Sequence, residues 1–148
     1  LEALYGAVNE VSALKEIGYL HPHYAAFIEA SPFAVLATAG EHGLEPSFFQ
    51  TNSEAEFCGY LHRLSEGADA AIINAGAWTH YSRAIGDALA VDPVPTIEVH
   101  LSDVENREDW RKVSVFDGLV EEKISGQGVD GYRLAVEALA KILDTDRD

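Results

Sequence analysis

Glu98, His100 and Ser102 stand two residues apart in the run Ile97-Glu98-Val99-His100-Leu101-Ser102. Alternate side chains of an extended strand share a face, so this spacing sets a carboxylate beside an imidazole and a hydroxyl, while Val99 and Leu101 pack on the other side. A carboxylate so placed orients an imidazole and raises its basicity, as in triad-type sites and the outer shell of metal sites. The plain alternative is a solvated face on an edge strand. A second polar group follows the apolar run Ala70-Ala71-Ile72-Ile73-Asn74, where Gly76, Thr79-His80 and then Asp87 come next. Arg107, Arg111 and Ser114 lie beyond the first group. In an open α/β sheet the ligand crevice lies outside the carboxyl ends of the strands, so polar residues at two such ends point to one shared pocket.

Other constellations carry less. His80, His100 and Glu98 are metal-ligand types, but their spacing fits no pattern such as His-Glu-x-x-His and the single Cys58 lies elsewhere, so no metal is expected. His21-Pro22-His23-Tyr24 is a surface loop on composition, with a metal clip or a lid as the sharper readings. His42 and His62 read as surface residues and Trp110 as packing, whereas Trp78, beside the expected crevice, stays open. Gly126-x-Gly128-x-x-Gly131 imitates a dinucleotide fingerprint. It follows a weak strand and has no acidic residue about twenty positions on in a second strand, so it reads as a tight turn into the last helix. Neither a Walker sequence nor a Gly-x-Ser-x-Gly elbow occurs.

The elements that must position these residues are legible in outline. Residues 3–9 form a weak first strand, 10–24 a long loop, and Tyr24 to Gly40 a helical stretch interrupted at Ser31-Pro32. Leu44 to Gln50 is a second strand; a helix follows from Asn52 or Ser53, with Glu54 and Glu56 where the helix dipole favours them and Phe57, Tyr60, Leu61 and Leu64 as its stripe. Ala70 to Asn74 is a buried strand, Ser82 to Ala90 a helix, Thr96 to Leu101 a fourth strand and Asn106 to Lys112 a short helix. A turn at Asp117-Gly118 leads to a short strand near 120–124 and a closing helix with Leu134, Val136, Leu139, Ile142 and Leu143 as its apolar face. Alternation of strand and helix predicts a parallel sheet covered on both faces, and the expected class is α/β: a flavodoxin-like three-layer sandwich with a five-stranded parallel sheet.

The 148 residues fit one domain, residues 1–148, with 47% hydrophobic and 24% charged residues as in an ordinary globular protein. No apolar run has the 18 or so residues of a membrane span and no leader pattern is read, so no membrane role is expected. A single cysteine favours a reducing cytosol, hence a cytoplasmic location. The net charge of −15 excludes general nucleic-acid binding, which needs a basic footprint. A local arginine cluster can still hold a carboxylate, because near charges dominate within a Debye length of roughly 8 Å.

Several blocks occur in order: Gln50-Thr51-Asn52-Ser53-Glu54, Ile73-Asn74-Ala75-Gly76-Ala77-x-Thr79-His80-x-Ser82, Asp87-Ala88, Ile97 to Ser102, Arg107-Glu108-x-x-Arg111 and Gly126-x-Gly128-x-x-Gly131-Tyr132. Together they resemble the type II 3-dehydroquinate dehydratases, from about Gly43 to Leu143. The resemblance implies loss of water from 3-dehydroquinate through an enolate, without metal, Schiff base or cofactor, in the shikimate route to aromatic amino acids. It makes Tyr24 the base at C2, His100 the acid on the C1 hydroxyl with Glu98 orienting it, and Asn74 the amide beside that hydroxyl. Leu101 and Ser102 receive the substrate carboxylate, His80 and Arg111 grip ring hydroxyls, and Asp87 reaches a neighbouring subunit's site. It also implies a homo-oligomer, a dodecamer built from trimers.

The N-terminal quarter departs from that pattern. Asn9-Glu10-Val11-Ser12-Ala13 stands where the family has Asn-Gly-Pro-Asn-Leu, Tyr19 where it has a lid arginine, and Ala25 where glycine follows the tyrosine. Ser12 thus replaces the asparagine that steadies the enolate, worth about 2.7–4 kcal/mol if it acts as an ordinary oxyanion-hole donor. Two readings follow: a working dehydratase, or a relative that binds a cyclic polyol carboxylate without turnover.

Overall fold

The computed structural model describes the backbone of residues 2–8 and all of residues 35–145. The expected loop at 10–24, the interruption at Ser31-Pro32, Tyr24, and the departures at Ser12, Tyr19 and Ala25 lie outside the described residues. Among the described residues five strands form one sheet: β1 (Glu2–Val8), β2 (Leu44–Phe49), β3 (Ala70–Asn74), β4 (Thr96–His100) and β5 (Glu122–Ser125). Their order is β2-β1-β3-β4-β5 and every pairing is parallel. The register sets Val8 beside Asn74, Ile73 beside Glu98, and His100 beside Ser125, so the carboxyl ends of the middle strands finish along one rim.

Both faces are covered, as the alternating sequence predicts. Helix α1 (35–41) and the closing helix α4 (Asp130–Thr145) cover one face, and α2 (Glu54–Leu61) with α3 (Arg83–Val91) covers the other. Alternation within β3 makes the division clear: Ala70 and Ile72 join Val99, Ile97 and the α4 residues Val136 and Leu139, whereas Ala71 and Ile73 join Phe57, Ile85 and Phe116. Continuous apolar runs are what a strand buried on both faces requires. Each isoleucine so buried contributes about 1.5–3 kcal/mol.

Local sequence sets the helix starts. Ser53 caps α2 by accepting a hydrogen bond from the Glu56 N–H at 3.3 Å, and Glu54 and Glu56 occupy the first turn. Ser82 precedes α3 in a cap position but its hydroxyl donates instead to Glu54, which ties the starts of α2 and α3 together. Trp78 belongs to packing: it is half-buried against the α2–α3 core, 5.9 Å from the Phe57 ring.

One expected element differs. The region read as a helix over Asn106 to Lys112 is two separate 3₁₀ turns, Val104–Asn106 and Asp109–Lys112, with Arg107 and Glu108 extended between them. No residue of the second turn is buried, so no apolar stripe holds an α-helix there. The acid–base pairs Glu108–Arg111 and Asp109–Lys112 are spaced by three, the spacing that a 3₁₀ turn aligns.

Candidate active site

Strand β4 lies between β3 and β5, and all five of its residues are buried, which rules out the solvated-edge reading. Glu98 and His100 share its α2–α3 side, opposite Ile97 and Val99. The His100 Nε2 is 2.6 Å from Glu98 Oε1, and the second carboxylate oxygen accepts from Ser114 Oγ at 2.7 Å. A carboxylate only accepts, so Nε2 carries the hydrogen of this contact and Nδ1 is the ring nitrogen left for other work. Nδ1 makes no hydrogen bond with the described residues. At 1% exposure Glu98 has no access to bulk water, so these two contacts replace its hydration.

His80 ends the 3₁₀ turn Gly76–His80 that follows β3. Its ring stacks on His100 with centroids 5.6 Å apart, and its Nδ1 donates to the Val113 carbonyl at 2.8 Å. Burial pushes its pKa below the usual value; the Val113 contact opposes this, while nearby His100 and Arg111 reinforce it. His80 is therefore neutral at pH 7, with Nδ1–H committed to Val113 and Nε2 free to accept from a hydroxyl.

Trp110 meets His80 edge-on at 5.4 Å, and the Arg111 guanidinium lies 4.0 Å over the Trp110 ring. Glu108 accepts from Arg111 Nε at 2.9 Å, while the terminal guanidinium nitrogens make no hydrogen bond with the described residues. His100, His80, Trp110 and Arg111 thus form one continuous wall. Trp110, expected to be packing, is 48% exposed and serves as the platform for Arg111.

Asn74 ends β3 at the same carboxyl edge, but its side chain lies on the α4 side of the sheet, with Ala70 and Ile72, rather than on the α2–α3 side of His100. Its amide nitrogen donates to the Tyr132 hydroxyl at 3.0 Å and its oxygen accepts from the Gly76 N–H at 3.2 Å, which fixes the amide's orientation. Leu101 packs its side chain on the α4 side and gives its carbonyl to the Gly128 N–H. Ser102 is exposed and its hydroxyl accepts from Arg107 at 3.4 Å. The glycine motif is the tight turn expected: Gly126 has φ +77° and bonds to the His100 and Ser102 carbonyls, and an added Cβ would lie 3.0 Å from Asp103 Cβ. Asp87 is exposed on α3, apart from the histidine contacts, and borders a hollow of about 590 Å³ that also touches His80 and Ser114. No three His, Cys, Asp or Glu side chains converge as a metal site among the described residues.

Two contacts escape the strand-end pattern, although Ser114 itself is read from the sequence beside Arg107 and Arg111. Ser114 sits between two valines and reaches Glu98 only through the fold, while Tyr132 stands 58 positions from Asn74. The Gly131-Tyr132 pair closing the glycine motif was the available signal for the second. Tyr132 is wholly buried, and burial pushes its pKa up to about 12 although the Asn74 contact opposes the rise. The folded hydroxyl thus keeps its proton where an unfolded tyrosine, near 10, loses it. Stability from this group is intact below about pH 10 and falls as pH rises toward 12, by roughly 3 kcal/mol in all. Thermal unfolding of Tyr132→Phe, compared with the parent from about pH 9 to 12, is expected to show a shallower alkaline decline. Parallel curves would mean that Tyr132 does not carry this dependence.

The dehydroquinase class II family model matches residues 25–140. The 3-dehydroquinate dehydratase of Pelobacter propionicus is 46% identical over 128 residues, covering 85% of this chain and 86% of the relative. That of Pelotomaculum thermopropionicum is 50% identical over 107 residues, 72% and 74% of the two chains. The crystal structure of the type II dehydroquinase from Propionibacterium acnes superposes with a TM-score of 0.76 at 29% identity, covering 95% of this chain and 99% of that one.

Proposed function

Because the chain belongs to the class II dehydroquinase family, we propose that it is a hydro-lyase that converts 3-dehydroquinate to 3-dehydroshikimate. The observation that carries this reading is the buried Ser114–Glu98–His100 relay set against neutral His80 at the rim of the parallel sheet. Tyr24, as phenolate, takes the proton from C2 and the C3 carbonyl becomes an enolate. His100 gives the Nδ1 proton to the C1 hydroxyl, water leaves, the C1–C2 double bond forms and the carbonyl returns. Glu98 holds the imidazolium through Nε2, so the charge that His100 carries before transfer has a counter-charge 2.6 Å away. Asn74, its amide already oriented by Tyr132, sets the leaving hydroxyl.

The substrate carboxylate goes to the Leu101 backbone and the Ser102 hydroxyl. His80 accepts from a ring hydroxyl at Nε2, and Arg111 donates to another from its free guanidinium nitrogens. These roles rest on the resemblance of the residues to the family and are supported by their common rim. Identities of 46–50% to named dehydratases favour turnover over the reading as a non-catalytic binder.

We further place the enzyme in the shikimate route and in the cytoplasm, in keeping with its single cysteine. The chain is taken to be flavodoxin-like, for which the strand order speaks, and to form a dodecamer of trimers. Exposed Tyr81, Val113 and Leu119 at the hollow beside Asp87 supply apolar surface for a second copy, whose site Asp87 would then reach. No described helix is long and apolar enough to cross a membrane. The direct test is 3-dehydroquinate mixed with purified protein, with absorbance of the product enone followed in the near ultraviolet. A steady rise is expected; a flat trace from folded, fully assembled protein would sink the assignment.

A further inference from the structure

Ser114 lies in none of the sequence blocks that carry the family resemblance, yet it is buried at 6% exposure directly behind the acid–base pair. We propose that Ser114 is a positioning residue for His100: its hydroxyl fixes the plane of the Glu98 carboxylate and thereby which imidazole nitrogen holds the transferable proton. The inference rests on the dehydratase reading and deepens it.

The hydrogen-bond directions leave little choice. The Phe116 N–H donates to Ser114 Oγ at 3.1 Å, which occupies a lone pair and leaves the single O–H for Glu98 Oε2 at 2.7 Å. With one oxygen held there, the other stays 2.6 Å from His100 Nε2, and the ring keeps its hydrogen on that nitrogen. Nδ1 is then the site that takes up and releases the proton. Without the hydroxyl, Glu98 is a buried carboxylate with one unsatisfied oxygen, and nothing on that side resists rotation of its plane.

Ser114 is itself held by its neighbours. Val115 donates to the Thr79 carbonyl at 2.8 Å, and the Val113 carbonyl accepts from His80 Nδ1. Phe116 is fully buried in the α2–α3 core. Gly86 of α3 lets this segment lie close, since a Cβ there would come within 2.7 Å of the Val115 carbonyl oxygen. The four residues Val113 to Phe116 therefore orient both histidines, one through a carbonyl and the other through a hydroxyl and a carboxylate.

Ser114→Thr and Ser114→Val test this, because their side chains share a shape and differ in the hydroxyl. Turnover of 3-dehydroquinate per folded protein and the NMR signal of the His100 Nε2–H in ligand-free protein are measured for both. In Ser114→Val, kcat is expected to fall about 10–100-fold with KM nearly unchanged, and the Nε2–H signal to broaden or vanish. Ser114→Thr is expected to restore both. Parental kcat in the valine variant, or equal impairment in the threonine variant, would overturn the proposal, since a merely structural residue alters the yield of folded protein and not its turnover. If the valine variant does not fold, Ser114→Ala against the parent carries the same comparison. A parent enzyme with no turnover would defeat the dehydratase reading; the NMR signal then decides Ser114 alone, and its persistence in the valine variant would overturn the positioning role.

Discussion

His100→Gln is expected to lower kcat on 3-dehydroquinate by about 10²–10⁴-fold, the range for loss of a positioned general acid, while KM changes little. The physical reason is the placement of one proton. His100 is 5% exposed, its Nε2 is bound to Glu98, and in the proposed reaction Nδ1 is the nitrogen left to protonate the leaving hydroxyl. Glutamine keeps a donor near Glu98 but has no group that titrates. Alanine is the harsher choice, because it leaves the buried carboxylate without its partner, a loss that costs about 3–5 kcal/mol when one member of a buried pair is removed. Steady-state assays of His100→Gln with circular dichroism as a fold control give the answer. Near-parental turnover in folded protein would mean that another group supplies the proton.

The second large effect is expected from Glu98→Gln, which preserves volume and removes the charge. Both carboxylate oxygens accept, one from His100 Nε2 and one from the Ser114 hydroxyl. An amide presents one acceptor and one donor, so either His100 or Ser114 meets a donor where it needs an acceptor. The imidazolium also loses its counter-charge. Loss of partners behind a working histidine costs at least about 10-fold, and about 10⁴-fold where the wrong tautomer results. The expected outcome is a kcat reduced within those bounds, checked by the same assay. An unchanged kcat would show that the charge does no work and that Glu98 only fills space.

Much of this architecture was legible in the chain because its signals are local. Ala70–Asn74 and Thr96–His100 are unbroken apolar runs ending in polar residues, and Ser53 ahead of two glutamates marks a helix start. The pairing of Glu98 with His100 follows from the two-residue period of a strand. What the sequence withheld depends on chain segments meeting in space. Ser114 joins Glu98 from sixteen positions away and Tyr132 joins Asn74 from fifty-eight, and neither has a periodic signature. Asn106 to Lys112 misled for another reason: its charges pair well at helical spacing, but the segment offers too little apolar surface to pack a helix. The proposed base, Tyr24, lies outside the described residues, so the resemblance alone supports it.

The last two elements have a consequence for how the protein is made. Gly126 and Gly128 brace the His100–Ser102 backbone, and Tyr132 holds the Asn74 amide, so residues 126–132 support side chains that are translated before them. A ribosome-bound chain that has released β4 but not α4 has His100 and Asn74 without these supports. In a nascent polypeptide these contacts can form only after Tyr132 has cleared the exit tunnel.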